Sequence, residues 1–199
     1  MVWQQGTKAV IMLTQMEEDG QEKCTPYWPD FVGKSATQKH GDFLIELKNK
    51  EVCQEYIASE LLLTHLRKIE SRPIHHFWYT CWPTKSLPEP ISLVKLVLDS
   101  RTKYEDAGVP VVVHCSPGTG RTGTFIALDQ CMHQFETRRT VDVMKTVYSL
   151  RQERAGAIQS KEQYILLYQA AREYASIIES PRPSAASSAT TLHALLPSS

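Results

Sequence analysis

Apolar and polar positions along this chain sort into alternating runs and helical stripes. Residues 8–16 (Lys-Ala-Val-Ile-Met-Leu-Thr-Gln-Met) form an apolar run between polar flanks, which predicts a buried strand. Glu17 to Gly20 reads as a turn. Phe43, Ile45 and Leu47 alternate with Leu44, Glu46 and Lys48, a strand pattern. Ile91 to Ala107 predicts an amphipathic helix with Ile91, Val94, Leu98 and Thr102 near one face, stopped by Gly108. Val109 to His114 predicts a central buried strand. Thr122 to Phe135 predicts a helix with Phe125, Leu128, Met132 and Phe135 on one stripe. Val141 to Arg151 predicts another, with Met144, Val147 and Tyr148 turned inward. Ser160-x-x-Gln163 is a capping-box pattern, opening a last helix to about Ile178 with Tyr164, Leu167, Tyr168 and Ala171 on its apolar face. These aromatic stripes read as core packing in preference to a site.

Composition narrows the class. The chain has 199 residues, 42% of them hydrophobic, enough for one globular domain with its own core. Its 22 basic and 22 acidic residues cancel, so nothing points to nucleic acid or an anionic membrane, and any recognition of negative charge must be local. Five cysteines (Cys24, Cys53, Cys81, Cys115, Cys131) show no pairing or metal-ligand spacing, and an odd count fits a reducing compartment. No stretch is apolar enough to span a bilayer and no signal peptide opens the chain, so a soluble, cytoplasmic protein is expected. Residues 179–199 turn to Pro, Ser, Ala and Thr and are expected to form a disordered tail after a domain over residues 1–178.

The run from Val111 to Gly123 carries the chemistry: Val-Val-Val-His-Cys-Ser-Pro-Gly-Thr-Gly-Arg-Thr-Gly. It reads as a buried strand, a tight glycine-bearing loop and a helix start. Cys115 opens the loop and Arg121 closes it, with five residues between. The backbone N–H groups of such a loop (Ser116, Gly118, Thr119, Gly120) can wrap a tetrahedral anion, helped by the helix N-terminus. Pro117 contributes no N–H and weakens the cradle there. Arg121 can grip two anion oxygens, and the same field is expected to make Cys115 a thiolate nucleophile. That combination points to phosphoryl transfer to sulfur followed by hydrolysis. A buried structural cysteine beside a glycine turn leaves Gly118, Gly120, Arg121 and Thr122 unexplained together.

These residues resemble the protein tyrosine phosphatase signature, His-Cys-x5-Arg followed by Ser or Thr and Gly. Lys23-Cys24-Thr25-Pro26-Tyr27-Trp28-Pro29 resembles the family's Lys-Cys-x-x-Tyr-Trp-Pro. Tyr79-Thr80-Cys81-Trp82-Pro83 is similar to the lead-in to its mobile acid loop, and Gln159 to Tyr164 to its glutamine loop. Met1-Val2-Trp3 looks like the middle of a family helix. The resemblance covers about residues 1–178. It implies an α/β fold, a twisted mixed sheet flanked by helices, incomplete at the N-terminus where the family's phosphotyrosine-recognition loop lies. It also settles a conflict: Glu55 to Ile69 has helix-favouring composition, but the family places two antiparallel strands there, leading into Phe77-Trp78-Tyr79-Thr80.

Roles follow from the resemblance. Cys115 is the nucleophile and Arg121 binds phosphate. Thr122 assists departure of the sulfur. Gln159 positions the hydrolytic water with Gln163 in support, or the two serve helix capping. His114 orients the loop, a satisfied core histidine being an equally good reading. Cys24 lies near the site or is a buried structural thiol. The substrate implied is a phosphotyrosine-containing protein, and no metal or organic cofactor is implied. One departure bears on activity. The family's Trp-Pro-Asp acid loop reads Trp82-Pro83-Thr84 here, and a hydroxyl cannot protonate the departing tyrosine oxygen. Asp30, in Trp28-Pro29-Asp30, and Glu89 are the substitutes in sequence, against the simpler readings of a structural element and a solvated loop carboxylate. Two functions follow: an impaired tyrosine phosphatase, or a phosphotyrosine-binding pseudophosphatase with negligible turnover.

Overall fold

The computed structural model describes residues 1–180, which form two compact units. The first comprises Met1–Ser86 and Lys103–Gly118, the second Leu87–Thr102 and the chain from Thr119 onward.

The first unit holds a short helix α1 (Val2–Gln5) and eight strands. These are β1 (Ala9–Met12), β2 (Glu17–Glu18), β3 (Gln21–Glu22), β4 (Thr37–His40), β5 (Phe43–Val52), β6 (Tyr56–His65), β7 (Glu70–Tyr79) and β8 (Val112–His114). Six of them make one mixed sheet in the order β4-β5-β6-β7-β1-β8. The pairs from β4 to β7 are antiparallel, whereas β1 runs parallel to both β7 and β8. The Glu55–Ile69 conflict therefore resolves as strand: β6 and β7 pair from Tyr56↔Tyr79 to His65↔Glu70. Helix propensity loses there to cross-strand pairing.

The apolar run at residues 8–16 becomes β1, buried along its whole length. The turn at Glu17–Gly20 sits inside a small hairpin of β2 and β3. Asp19 and Gly20 both take positive φ there, as a two-residue hairpin of this hand requires. The strand before the signature is shorter than expected, half-buried, and lies at the end of the sheet, not its centre. It pairs with β1 alone, through Val10↔Val112 and Met12↔His114. Trp3, Val10, Met12, Trp28, Leu47, Leu61, Leu63 and Ile74 form a core cluster. The Arg72 guanidinium stacks 3.9 Å over the Trp3 ring and donates to the Trp3 carbonyl, tying α1 to β7.

The second unit is helical: α2 (Pro90–Arg101), α3 (Gly120–Arg138), α4 (Val143–Glu153) and α5 (Lys161–Glu179). The expected helix at Ile91–Ala107 stops at Arg101; only a 3-10 turn at Glu105–Ala107 follows, before Gly108 at φ +60°. It is not amphipathic, because Leu93, Val94, Leu96, Val97, Leu98 and Ser100 are all buried and they surround the axis. Thr102 is exposed. Arg101, 6% exposed, is held by the carboxylates of Asp129 and Glu136. Tyr174 donates to Glu136 as well, which ties α2, α3 and α5 through one buried cation.

In α3 the stripe of Phe125, Leu128, Met132 and Phe135 is buried as expected. In α4 the buried face is Val143, Thr146 and Val147, while Met144 and Tyr148 point outward at 69% and 66% exposure. In α5 the core face is Leu166, Leu167, Ala170, Ala171 and Tyr174, and Tyr168 is half exposed. Helix α5 reaches Glu179 with Ser180 as its cap. The tail expected to be disordered otherwise lies outside the described residues.

Candidate active site

The signature run passes from the first unit to the second between Gly118 and Thr119. On the sheet side, β8 delivers His114 and then Cys115, which is 7% exposed. None of the five cysteines is in a disulfide. Ser116 and Pro117 are exposed, and Gly118 turns the chain at φ +68°, the region open to glycine.

His114 is part of an aromatic chain. The Tyr27 hydroxyl lies 2.8 Å from His114 Nε2 and 2.8 Å from His76 Nε2. His114 Nδ1 lies 3.2 Å from the Cys115 carbonyl oxygen. Burial pushes the His76 pKa down to about 3, with nearby His114 adding to the effect. Burial also lowers His114, partly offset by its bond to the Cys115 carbonyl. Tyr27 is raised by burial and then by Cys24. Cys24 itself is half-buried against the core cluster, donates to the Thr25 carbonyl and is raised by burial and Glu22. That fits the structural reading of this thiol. Trp28 is a core residue and Asp30 is exposed. This agrees with a structural role for Trp28-Pro29.

On the helix side, Thr119 caps α3 and Gly120 begins it. The N–H groups of Gly120, Arg121 and Thr122 have no acceptor within the helix, as in any first turn, and they carry its positive dipole end. The Thr119 hydroxyl is buried without a hydrogen-bond partner, an uncommon state for a native side chain. Arg121 is half-buried and Thr122 buried.

The segment Ala157–Gln163 presses on this first turn. The Ile158 N–H donates to the Thr119 carbonyl, which also accepts from Gly123 N–H. A Cβ on Gly123 would lie 2.8 Å from the Ile158 backbone nitrogen. A Cβ on Gly120 would lie 2.8 Å from Gln159 Oε1 and 2.9 Å from Gln163 Nε2. Both glutamine side chains thus lie against Gly120, in the first turn of α3. Gln163 also works as a cap: its side-chain carbonyl accepts from Gln159 N–H, and its own N–H donates to Ser160 Oγ. Two residues missed in the sequence complete the arrangement. The Arg151 guanidinium donates to the carbonyls of Ala157 and Ile158. Ile158, fully buried, takes φ +61°, a strained conformation for a β-branched residue. Neither had a local signal beyond the arginine at the end of a helix.

The segment that resembles the family's acid loop follows β7. Trp82 is buried, edge-on to Tyr79, while Pro83 and Thr84 are exposed. Glu89 is the N-cap position of α2. It opens on a groove of about 780 Å³ with Leu87, Pro88, Gln169, Arg172 and Ser176, which includes no signature residue.

Comparison with known proteins agrees with this geometry. The family model for the protein-tyrosine phosphatase matches residues 1–173. The chain is 37% identical over 178 residues to human (Homo sapiens) receptor-type tyrosine-protein phosphatase alpha, covering 87% of this chain and 21% of that protein. It is 35% identical over 172 residues to the mouse (Mus musculus) receptor-type phosphatase eta, covering 85% of this chain and 14% of that protein. Against the human receptor-type phosphatase C it is 35% identical over 176 residues, covering 87% and 13%. The chain therefore belongs to the protein-tyrosine phosphatase family, with the mixed sheet and helices of that fold. It spans about a fifth or less of the length of these relatives. Among the described residues, no helix is long and apolar enough to cross a membrane.

Two outcomes are expected. Gly123→Ala meets backbone and should lower stability by about 1–3 kcal/mol in urea titration, the usual overpacking cost. Gly120→Ala meets only side-chain ends, so it should cost less stability while displacing both glutamines; turnover should fall by up to about 10²-fold. Stability should also depend on pH in one direction. His76 is depressed from 6.5 to about 3, so the unfolded chain binds more protons between those values. Its contribution is full above about pH 6.5 and is lost as pH falls toward 3, at up to about 1.4 kcal/mol per unit. Urea midpoints measured across this window should be flatter for His76→Gln.

Proposed function

We propose that this chain hydrolyses phosphotyrosine on proteins through a cysteinyl-phosphate intermediate, with turnover impaired at the protonation step. The observation that carries the reading is the packing of Gln159 and Gln163 on Gly120, at the first turn of the helix that follows Cys115. That packing supports a hydrolytic step at the same loop that holds the nucleophile.

In this reading the Cys115 sulfur attacks phosphorus in line and the P–O bond to tyrosine breaks. Arg121 and the N–H groups of Ser116, Gly118, Thr119 and Gly120 hold the equatorial oxygens. A dianionic phosphate at the buried end of α3 also suits the unpartnered Thr119 hydroxyl. The departing tyrosine oxygen needs a proton, and Thr84 cannot supply one at neutral pH. Solvent supplies it slowly. Water positioned by Gln159 then attacks the phosphocysteine, the P–S bond breaks, and Thr122 donates a hydrogen bond to the leaving sulfur. His114 orients the loop. Arg121 and the backbone supply the positive field, so the reaction takes no metal or organic cofactor. The partner is a phosphotyrosine-containing protein and the setting is cytoplasmic.

Thr84, exposed on the loop after β7, favours a second reading: phosphotyrosine binding with negligible turnover. Initial rates separate the two. The wild type should hydrolyse a phosphotyrosyl peptide slowly and an aryl phosphate with a more acidic phenol faster, since that leaving group bypasses the acid. Thr84→Asp should raise the peptide rate by about 10²–10⁴, the contribution of a positioned general acid, and Cys115→Ser should abolish both. If Thr84→Asp is as inactive as Cys115→Ser, the binding reading stands.

A further inference from the structure

The chain of Tyr27, His76 and His114 has more in it than ring packing. The Tyr27 hydroxyl has one proton and two imidazole nitrogens at 2.8 Å, so it must donate to one and accept from the other. The Cys115 carbonyl can only accept, so the proton in its contact with His114 belongs to His114 Nδ1. A neutral His114 then has a bare Nε2 and accepts from Tyr27. The Tyr27 oxygen in turn accepts from His76 Nε2–H, and neutral His76 is left with a bare Nδ1. That is the nitrogen buried without a hydrogen-bond partner. The opposite direction makes His114 an imidazolium and orphans a buried N–H on His76, which is 1% exposed. Both costs exceed that of a bare buried acceptor. Burial depresses both histidines, in line with two neutral rings. The other neighbours do not compete: Met12 Sδ is 4.0 Å from the tyrosine oxygen, and the Trp28 ring, tilted at 45° to His76 with 4.3 Å between centroids, leaves His76 Nδ1 without a partner.

We propose that His76 is a positioning residue, acting through Tyr27 to hold His114 in its Nδ1–H form against the Cys115 carbonyl. The consequence lies in one planar peptide. With the Cys115 C=O held toward His114, the Ser116 N–H of the same peptide points the opposite way. Its direction is thereby set by a ring on β7, two strands away in the sheet order. The hydrogen-bond direction follows from geometry alone; its catalytic consequence rests on the phosphatase reading above.

Long-range ¹H–¹⁵N NMR of the imidazoles in the intact chain at pH 7 tests the direction without any substrate. His76 should show the Nε2–H tautomer and His114 the Nδ1–H tautomer. The reverse tautomers, or an imidazolium signature for His114, overturn the proposal. His76→Leu and Tyr27→Phe should each mix the His114 tautomers, and His76→Gln, which keeps an N–H donor, should restore Nδ1–H. On an aryl phosphate with an acidic phenol, His76→Leu should lower kcat about 10-fold or more with little change in KM, the scale of partners that orient a functional imidazole. His76→Gln should recover most of that loss. An unchanged His114 signature in both His76→Leu and Tyr27→Phe also overturns it. A wild type with the expected tautomers and no turnover counts against the phosphatase reading and leaves the hydrogen-bond direction standing.

Discussion

The close approach of two backbones at the start of α3 is the constraint on which the site depends. Gly120 and Gly123 have no Cβ, and the segment from Ala157 to Gln163 occupies that space. The glycines are thus not there for flexibility; they let a second loop reach the helix N-terminus. Arg151 holds the second loop from behind through two carbonyls, and buried Ile158 accepts a left-handed backbone to make the turn. Strain of that kind persists only where the surroundings over-determine it. The result places the side chains of Gln159 and Gln163 against the first turn of the helix that follows Cys115.

The sheet side is built by a different logic. Cys115 leaves a three-residue strand that pairs with β1 alone. Such a short edge strand is a weak anchor, and the polar chain from His76 through Tyr27 to His114 supplies further attachment. Polar groups buried this deeply are costly unless each has its partner. Here the one nitrogen without a partner is the one that can be a bare acceptor, which gives the hydrogen bonds a single direction.

Local punctuation made much of this legible from sequence. The apolar run of β1, the stripe of α3 and the Ser160–Gln163 cap each rest on neighbours a few residues apart, and each stands where expected. Strands β6 and β7 needed the family resemblance, because composition there favours helix and only long-range pairing decides otherwise. Facing was the weaker inference. Met144 and Tyr148 are as compatible with a stripe as Val143 and Val147, and tertiary packing chose the latter. Helix α2 is buried all round, so it has no face for periodicity to find. His76 was invisible for a similar reason: its partner Tyr27 is 49 residues away, and nothing in His75-His76 marks the inward ring.

Cys115 is proposed to carry the phosphoryl group. Rapid acid quench of the wild-type chain during turnover of an aryl phosphate with an acidic phenol, followed by peptide mass spectrometry, tests it most directly. Phosphate is expected on the Cys115 peptide, absent in Cys115→Ser and accumulating further in Gln159→Ala, whose hydrolytic step is slowed. Turnover of the same ester with no phosphate on Cys115 at any quench time would contradict it.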